Sequence, residues 1–140
     1  MSFRRAFTVN FGQCDPAGIV FYPRYLEMLN ATVEAFFAEA LDYSFARIHL
    51  DEECGVPTVH LDVDFRAPSR LGDVIVYTLG VTAVGRTSVT FDTRVTCDQE
   101  LRLTARHVLV WTRPGPLAAP WPDHLSRALE ARRTEDEVQS

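Results

Sequence analysis

The run FGQCDPAGIVFYPRY at positions 11–25 sets a cysteine and an aspartate side by side among apolar, aromatic and turn-forming residues. Asp15 precedes Tyr22 by seven residues, close to where an apolar pattern of helical spacing begins. A helix start offers unpaired N–H groups and partial positive charge, which stabilise an oxygen that gains negative charge during a reaction. A carboxylate beside it can attack a carbonyl carbon held on those amides, or take a proton from the water that does so. Pro16 and Gly18 suit a tight turn that brings backbone close to a ligand. The same D-P-x-G spacing also fits an aspartate that only caps its own turn, and the residues by themselves favour that reading.

Other reactive types are spread along the chain. Cys14 is the rival nucleophile, but a thiolate needs a lowered pKa and usually a His partner, and no histidine is placed beside it. It is therefore expected to be a small packing residue. In VHLDVDF, residues 59–65, His60, Asp62 and Asp64 share one strand face that alternation assigns to solvent or a subunit seam. His107 falls in step with Leu103, Ala105, Leu109 and Trp111, and is expected to be buried and hydrogen-bonded. Glu27, Glu34 and Glu39 lie off the main apolar stripe of the helix.

These side chains need elements to hold them. Phe7, Val9 and Phe11 alternate with Thr8 and Asn10, which predicts a strand over 7–11 with one buried face. Pro23 suits a first helical turn, and Tyr25, Leu29, Thr32, Val33, Phe36, Phe37 and Ala40 recur at three- and four-residue steps. They predict a helix from about 23 to 41, roughly 28 Å long. Residues 42–57 read as a connector with a short helical piece, ended by Gly55 and Pro57. Period two then returns over 59–65 and in strands at about 73–83, 87–97 and 101–112. Tight turns at Gly85-Arg86 and Asp98-Gln99 make these antiparallel neighbours. The prolines of RPGPLAAPWPD exclude a continued strand. Asp123 is expected to cap a short helix through Arg133, ahead of a frayed tail over 134–140.

No repeat divides the chain, so residues 1–140 read as one domain with a core over about 3–112, followed by the proline-rich segment and short helix of 113–133. The order of strand, long helix and four strands is an α+β arrangement in which one antiparallel sheet curls around the helix. It leaves a sheet face and an edge open, which favours a second copy.

Bulk properties remove several function classes. A formal charge of −5 and a pI near 5.3 argue against general nucleic-acid binding. All fourteen basic residues are Arg, which excludes a lysine Schiff base and a Walker-type lysine. Three cysteines without a C-x-x-C pair predict neither a disulfide framework nor a zinc site, and suggest a reducing compartment. No run approaches the ~18 apolar residues of a membrane span, and the first residues lack a signal-peptide core, so the expectation is a soluble, cytoplasmic protein.

The opening run resembles the signature of the hotdog-fold 4-hydroxybenzoyl-CoA thioesterase family, a strand leading into an F-G-D-C-D-P-A-G-I-V-x-Y-P-x-Y loop and helix. GVPTVHLDVDFRAPSRLGD is similar to the family's second strand and following turn. The likeness covers most of residues 3–112; Gln13 departs from it, standing where the family carries Asp. It implies a hotdog fold, a long central helix wrapped by a five-stranded antiparallel sheet, assembled as dimers that often pair into tetramers. It implies an acyl-CoA thioesterase that needs no metal or cofactor beyond the coenzyme A of its substrate. Asp15 would be the catalytic carboxylate, and the backbone N–H of Tyr22 would bind the thioester oxygen. Gly18, Pro23, Tyr25, Thr58 and Asp62 would surround the substrate, and Arg86 and Ser88 would meet the nucleotide part. Two alternatives stand beside this one, a thioesterase for acyl groups on carrier protein and a non-catalytic acyl-CoA binder.

Overall fold

In a computed structural model, the structure describes residues 2–133, so the expected frayed tail lies outside the described residues. The elements are β1 (Phe3–Thr8), α1 (Tyr22–Ala35), β2 (Thr58–Phe65), β3 (Val74–Val84), β4 (Ser88–Cys97), β5 (Glu100–Val110), β6 (Thr112–Arg113), β7 (Leu117–Ala118) and α2 (Asp123–Ala131). Five strands form one antiparallel sheet in the order β1-β3-β4-β5-β2.

The helix forms as its spacing predicts, continuing from α1 through a π turn at Phe36–Ala40. Its buried side, Tyr25, Met28, Leu29, Thr32, Val33, Phe36 and Phe37, lies on the inner sheet face. Phe36 meets Phe91 of β4 edge-on at 5.4 Å between centroids. Both rings are fully buried, and each contributes about 1.5–3 kcal/mol by leaving water. The Asp98-Gln99 turn is as expected, with both residues at positive φ, 49° and 70°. That is the backbone a two-residue hairpin needs to match strand twist.

Three expectations are corrected. The first strand covers Phe3–Thr8 rather than 7–11, because its backbone pairs with β3 from Phe3 opposite Leu79 to Thr8 opposite Val74; on it the exposed Arg5 reaches Glu39 at 2.8 Å. Phe11 instead stands exposed in a 3-10 turn, Phe11–Gln13, where the Gln13 side-chain oxygen accepts the Asn10 N–H at 2.9 Å. Asp123 is the first residue of α2 and makes no side-chain cap, so its charge acts only through the helix dipole. The core also runs past residue 112: Trp121, Leu125 and Leu129 are buried in the same cluster as Phe36 and Phe91. The prolines of this region bound a small β6-β7 hairpin that the sequence did not suggest.

β2 alternates as predicted, yet it is the outer strand of the sheet beyond β5. Val59, Leu61 and Phe65 stay 61%, 41% and 52% exposed. An apolar strand with one unpaired edge is the open side of the molecule.

Candidate active site

The loop between β1 and α1 is a small hairpin. Phe21 N–H donates to Gln13 O, and Asp15 N–H to Ile19 O, at 2.9 and 2.8 Å. Gly18 N–H closes the tip on Asp15 O at 2.9 Å. Gly18 sits at φ +81°, which L side chains disfavour, with open space around it. Gly18→Ala should therefore cost about 1 kcal/mol through backbone strain alone, read as a lowered Tm.

The half-buried Asp15 carboxylate divides its oxygens. Oδ1 accepts Ala17 N–H at 2.9 Å and Ile19 N–H at 3.4 Å, so the turn cap read from the residues does exist. Among the described residues no donor reaches Oδ2. Asp15 borders a hollow of about 240 Å³ with Gly12, Cys14, Pro16, Phe21 and Arg24. Cys14 is a packing residue, set against the core with its Sγ 3.6 Å from Asn10 O.

At the base of the hairpin α1 starts without a side-chain cap. Of its first three residues, Pro23 has no N–H and Arg24 N–H bonds Phe21 O at 2.9 Å. Tyr22 N–H has no acceptor among the described residues, leaving one polarised amide at the helix start. Next to it Tyr22, Tyr25 and Phe65 border a second hollow of about 340 Å³ with Ile19, Val20 and the 66–68 segment. The carboxylate thus lies near the tip and the amide at the base of one short hairpin, each on a residue that lines a hollow.

A clamp holds this loop down. Val20 N–H donates to Ser69 O at 2.9 Å, and Ser69 N–H to the Tyr25 hydroxyl at 3.1 Å. Arg102, 12% exposed at its side chain, donates to Pro68 O, Ser69 Oγ and Asp73 Oδ2 at 3.0, 3.1 and 2.8 Å. Its Nε lies 2.7 Å from Glu100 Oε1 as an ion pair without hydrogen-bond geometry. The Arg102 hydrogen bond, with Arg70 N–H second, holds the Asp73 carboxyl below the usual carboxylate range. No spacing in the sequence could have paired Arg102 with a residue 29 positions away. Arg102→Ala should cost about 2 kcal/mol in urea unfolding, since a poorly hydrated carboxylate loses its main donor.

The other expected site residues are dispersed. Pro23 and Tyr25 lie in the first turns of α1, with Tyr25 buried and its carbonyl bonded to the Tyr77 hydroxyl at 2.8 Å. Thr58 stands at the far end of β2, facing α1 across a third hollow. Asp62 is on the opposite sheet face, across from Arg106. Arg86 and Ser88 follow β3 at its end remote from the Asp15 loop. The 11 residues of β3, roughly 35 Å at about 3.3 Å each, separate the two regions. His107 is buried as expected, yet its Nδ1 has no partner among the described residues. Burial pushes its pKa down to about 4 despite the raising influence of Asp92, so the ring is neutral. Among the described residues no group of three or more His, Cys, Asp or Glu is placed to hold a metal, and no helix is long and apolar enough to cross a membrane.

A family model described as the thioesterase-like superfamily matches residues 9–129. The chain belongs to that superfamily. Its sheet and helix are the hotdog fold, as solved relatives show. A 1,4-dihydroxy-2-naphthoyl-CoA thioesterase from Synechocystis superposes with a TM-score of 0.83 at 23% identity, covering 92% of this chain and 96% of that one. A gentisyl-coenzyme A thioesterase gives 0.81 at 24% identity, covering 87% and 98%. In sequence, the 1,4-dihydroxy-2-naphthoyl-CoA hydrolase of Synechococcus elongatus is 29% identical over 101 residues, 71% of this chain and 74% of that protein. The family established is thus the broad thioesterase-like one, wider than the 4-hydroxybenzoyl-CoA group that the opening run suggests.

Proposed function

We propose that this member of the superfamily hydrolyses an acyl-CoA thioester carrying a hydroxylated aromatic acyl group, giving the free acid and coenzyme A. The observation that carries the reading is the pair of unspent groups on one hairpin: Asp15 Oδ2 and the Tyr22 N–H. The Tyr22 N–H donates to the thioester oxygen and stabilises the negative charge it gains. Asp15 then either adds to the carbonyl carbon, expelling the CoA thiolate and leaving an anhydride that water cleaves, or takes a proton from water that adds directly. The relatives' substrates, a dihydroxynaphthoyl and a gentisyl thioester by name, support a hydroxylated aromatic acyl group, with 4-hydroxybenzoyl a third of that class.

One chain keeps Arg86 and Ser88 far from Asp15, and β2 presents an unpaired apolar edge. Both observations favour a homodimer in which a second copy continues the sheet and supplies the nucleotide-binding residues, with two such dimers forming a tetramer. The net charge of −5 disfavours docking of an acidic carrier protein, so coenzyme A is the preferred carrier. The test is thiol release from benzoyl-, 4-hydroxybenzoyl-, gentisyl-, hydroxynaphthoyl- and straight-chain acyl-CoA at equal concentration. Turnover confined to aromatic esters is expected, and silence across the set defeats the proposal.

A further inference from the structure

The hollow faced by Thr58 carries more than its apolar lining suggests. It encloses about 130 Å³ between α1 and the inner face of β2 and β5. Leu29, Leu61 and Leu109 give it apolar walls, and Asn30, Thr58 and His107 are its polar groups. No charged side chain lines it. Its one fully buried polar side chain, His107, is 3% exposed with an unpartnered Nδ1. A buried nitrogen without a partner is destabilising unless something completes it. The hollow is in line with the one at the helix start, since Tyr22 and Tyr25 border the first and Leu29 and Asn30 the second. Eight residues of helix, about 12 Å, separate Tyr22 from Asn30. One aromatic ring with a hydrogen bond at each end covers that span.

We infer that His107, with Asn30 and Thr58, forms a specificity subsite that binds a ring hydroxyl at the end of the acyl group remote from the thioester. The inference rests on the thioesterase reading and narrows its substrate class. A hydroxyl both gives and accepts a hydrogen bond, so it satisfies a neutral imidazole of either tautomer, a side-chain amide and a threonine. A carboxylate would lie here without a countercharge, and an unsubstituted ring would leave the nitrogen bare.

The measurement is kcat/KM for 4-hydroxybenzoyl-CoA, 2-hydroxybenzoyl-CoA and benzoyl-CoA in the wild type, His107→Leu and His107→Gln, with Tm as the check on folding. The wild type should prefer the 4-hydroxy ester over the other two by roughly three- to tenfold, the worth of one net hydrogen bond. His107→Leu should bring the three values together, while His107→Gln, which keeps a hydrogen-bonding group, retains part of the preference. Equal rates in the wild type, or a preference untouched by His107→Leu, overturn the inference and assign Nδ1 to an internal water. Calorimetric binding of the same three esters to Asp15→Asn reads the discrimination without turnover. A chain that hydrolyses nothing therefore defeats the thioesterase reading while still reporting on the subsite.

Discussion

Asp15→Asn should lower kcat/KM for the best aromatic acyl-CoA by 10²–10⁴-fold, the usual worth of a positioned proton acceptor or nucleophile. The substitution is clean because the amide keeps an oxygen at the Oδ1 position. Ala17 N–H at 2.9 Å and Ile19 N–H at 3.4 Å retain their acceptor, and the hairpin stays closed. Only the charge and the free oxygen are removed. Asp15→Ala loses the cap as well and should unfold about 1 kcal/mol more easily than the Asn variant. Thiol release gives the rates and a thermal melt the stability. An Asn variant with full activity would mean that the carboxylate serves the turn alone. Single-turnover hydrolysis in ¹⁸O-water identifies a nucleophilic Asp15 when water opens the anhydride at the Asp15 carbonyl, because the acyl–oxygen bond then leaves with one of the carboxylate's own oxygens and the label enters Asp15.

Between pH 6.5 and 4 the folded protein should lose roughly 3 kcal/mol through His107, at about 1.4 kcal/mol per unit of pKa difference. The ring is 3% exposed and burial holds its pKa near 4, against an ordinary value of 6.5. Above 6.5 both folded and unfolded chains carry it neutral, and it makes no pH-dependent contribution. As pH falls through the window the unfolded chain takes up a proton that the folded chain refuses, which favours unfolding. Asp73, held low by Arg102, adds a loss of the same sign at still lower pH as its carboxylate is protonated. Urea melts of the wild type and His107→Leu across pH 4–7 isolate the histidine. Their stability difference should shift steadily with acidification, and parallel curves would show that the imidazole is not held neutral.

How much of this was legible depends on whether the information was local. The helix announced itself through Tyr25, Leu29, Val33 and Phe36, and the Asp98-Gln99 turn through its composition, because periodicity and turn chemistry act over a few residues. The opening run carried the Asp15 loop as a unit. The bounds of β1 are not local, since Phe3–Thr8 are held as a strand by pairing with Val74–Leu79 of β3, far off in sequence. β2 gave its alternation but not its exposure, since an edge position is decided by strand order. Arg102 was invisible as the clamp of the Asp15 loop, its partners Pro68, Ser69 and Asp73 lying in another segment. His107 was read as buried, yet an unpaired nitrogen is a property of the whole cavity rather than of any neighbour in sequence.

The length of β3 between the Asp15 loop and Arg86 has a genetic counterpart. If each site draws its carboxylate from one chain and its nucleotide contact from another, lesions at the two positions damage different halves of every site. Chains carrying Asp15→Asn and chains carrying Arg86→Ala, each defective alone, would complement when unfolded together and reassembled. In every hybrid dimer one site would collect both lesions and the other would be restored, so an equal mixture would recover about a quarter of wild-type turnover.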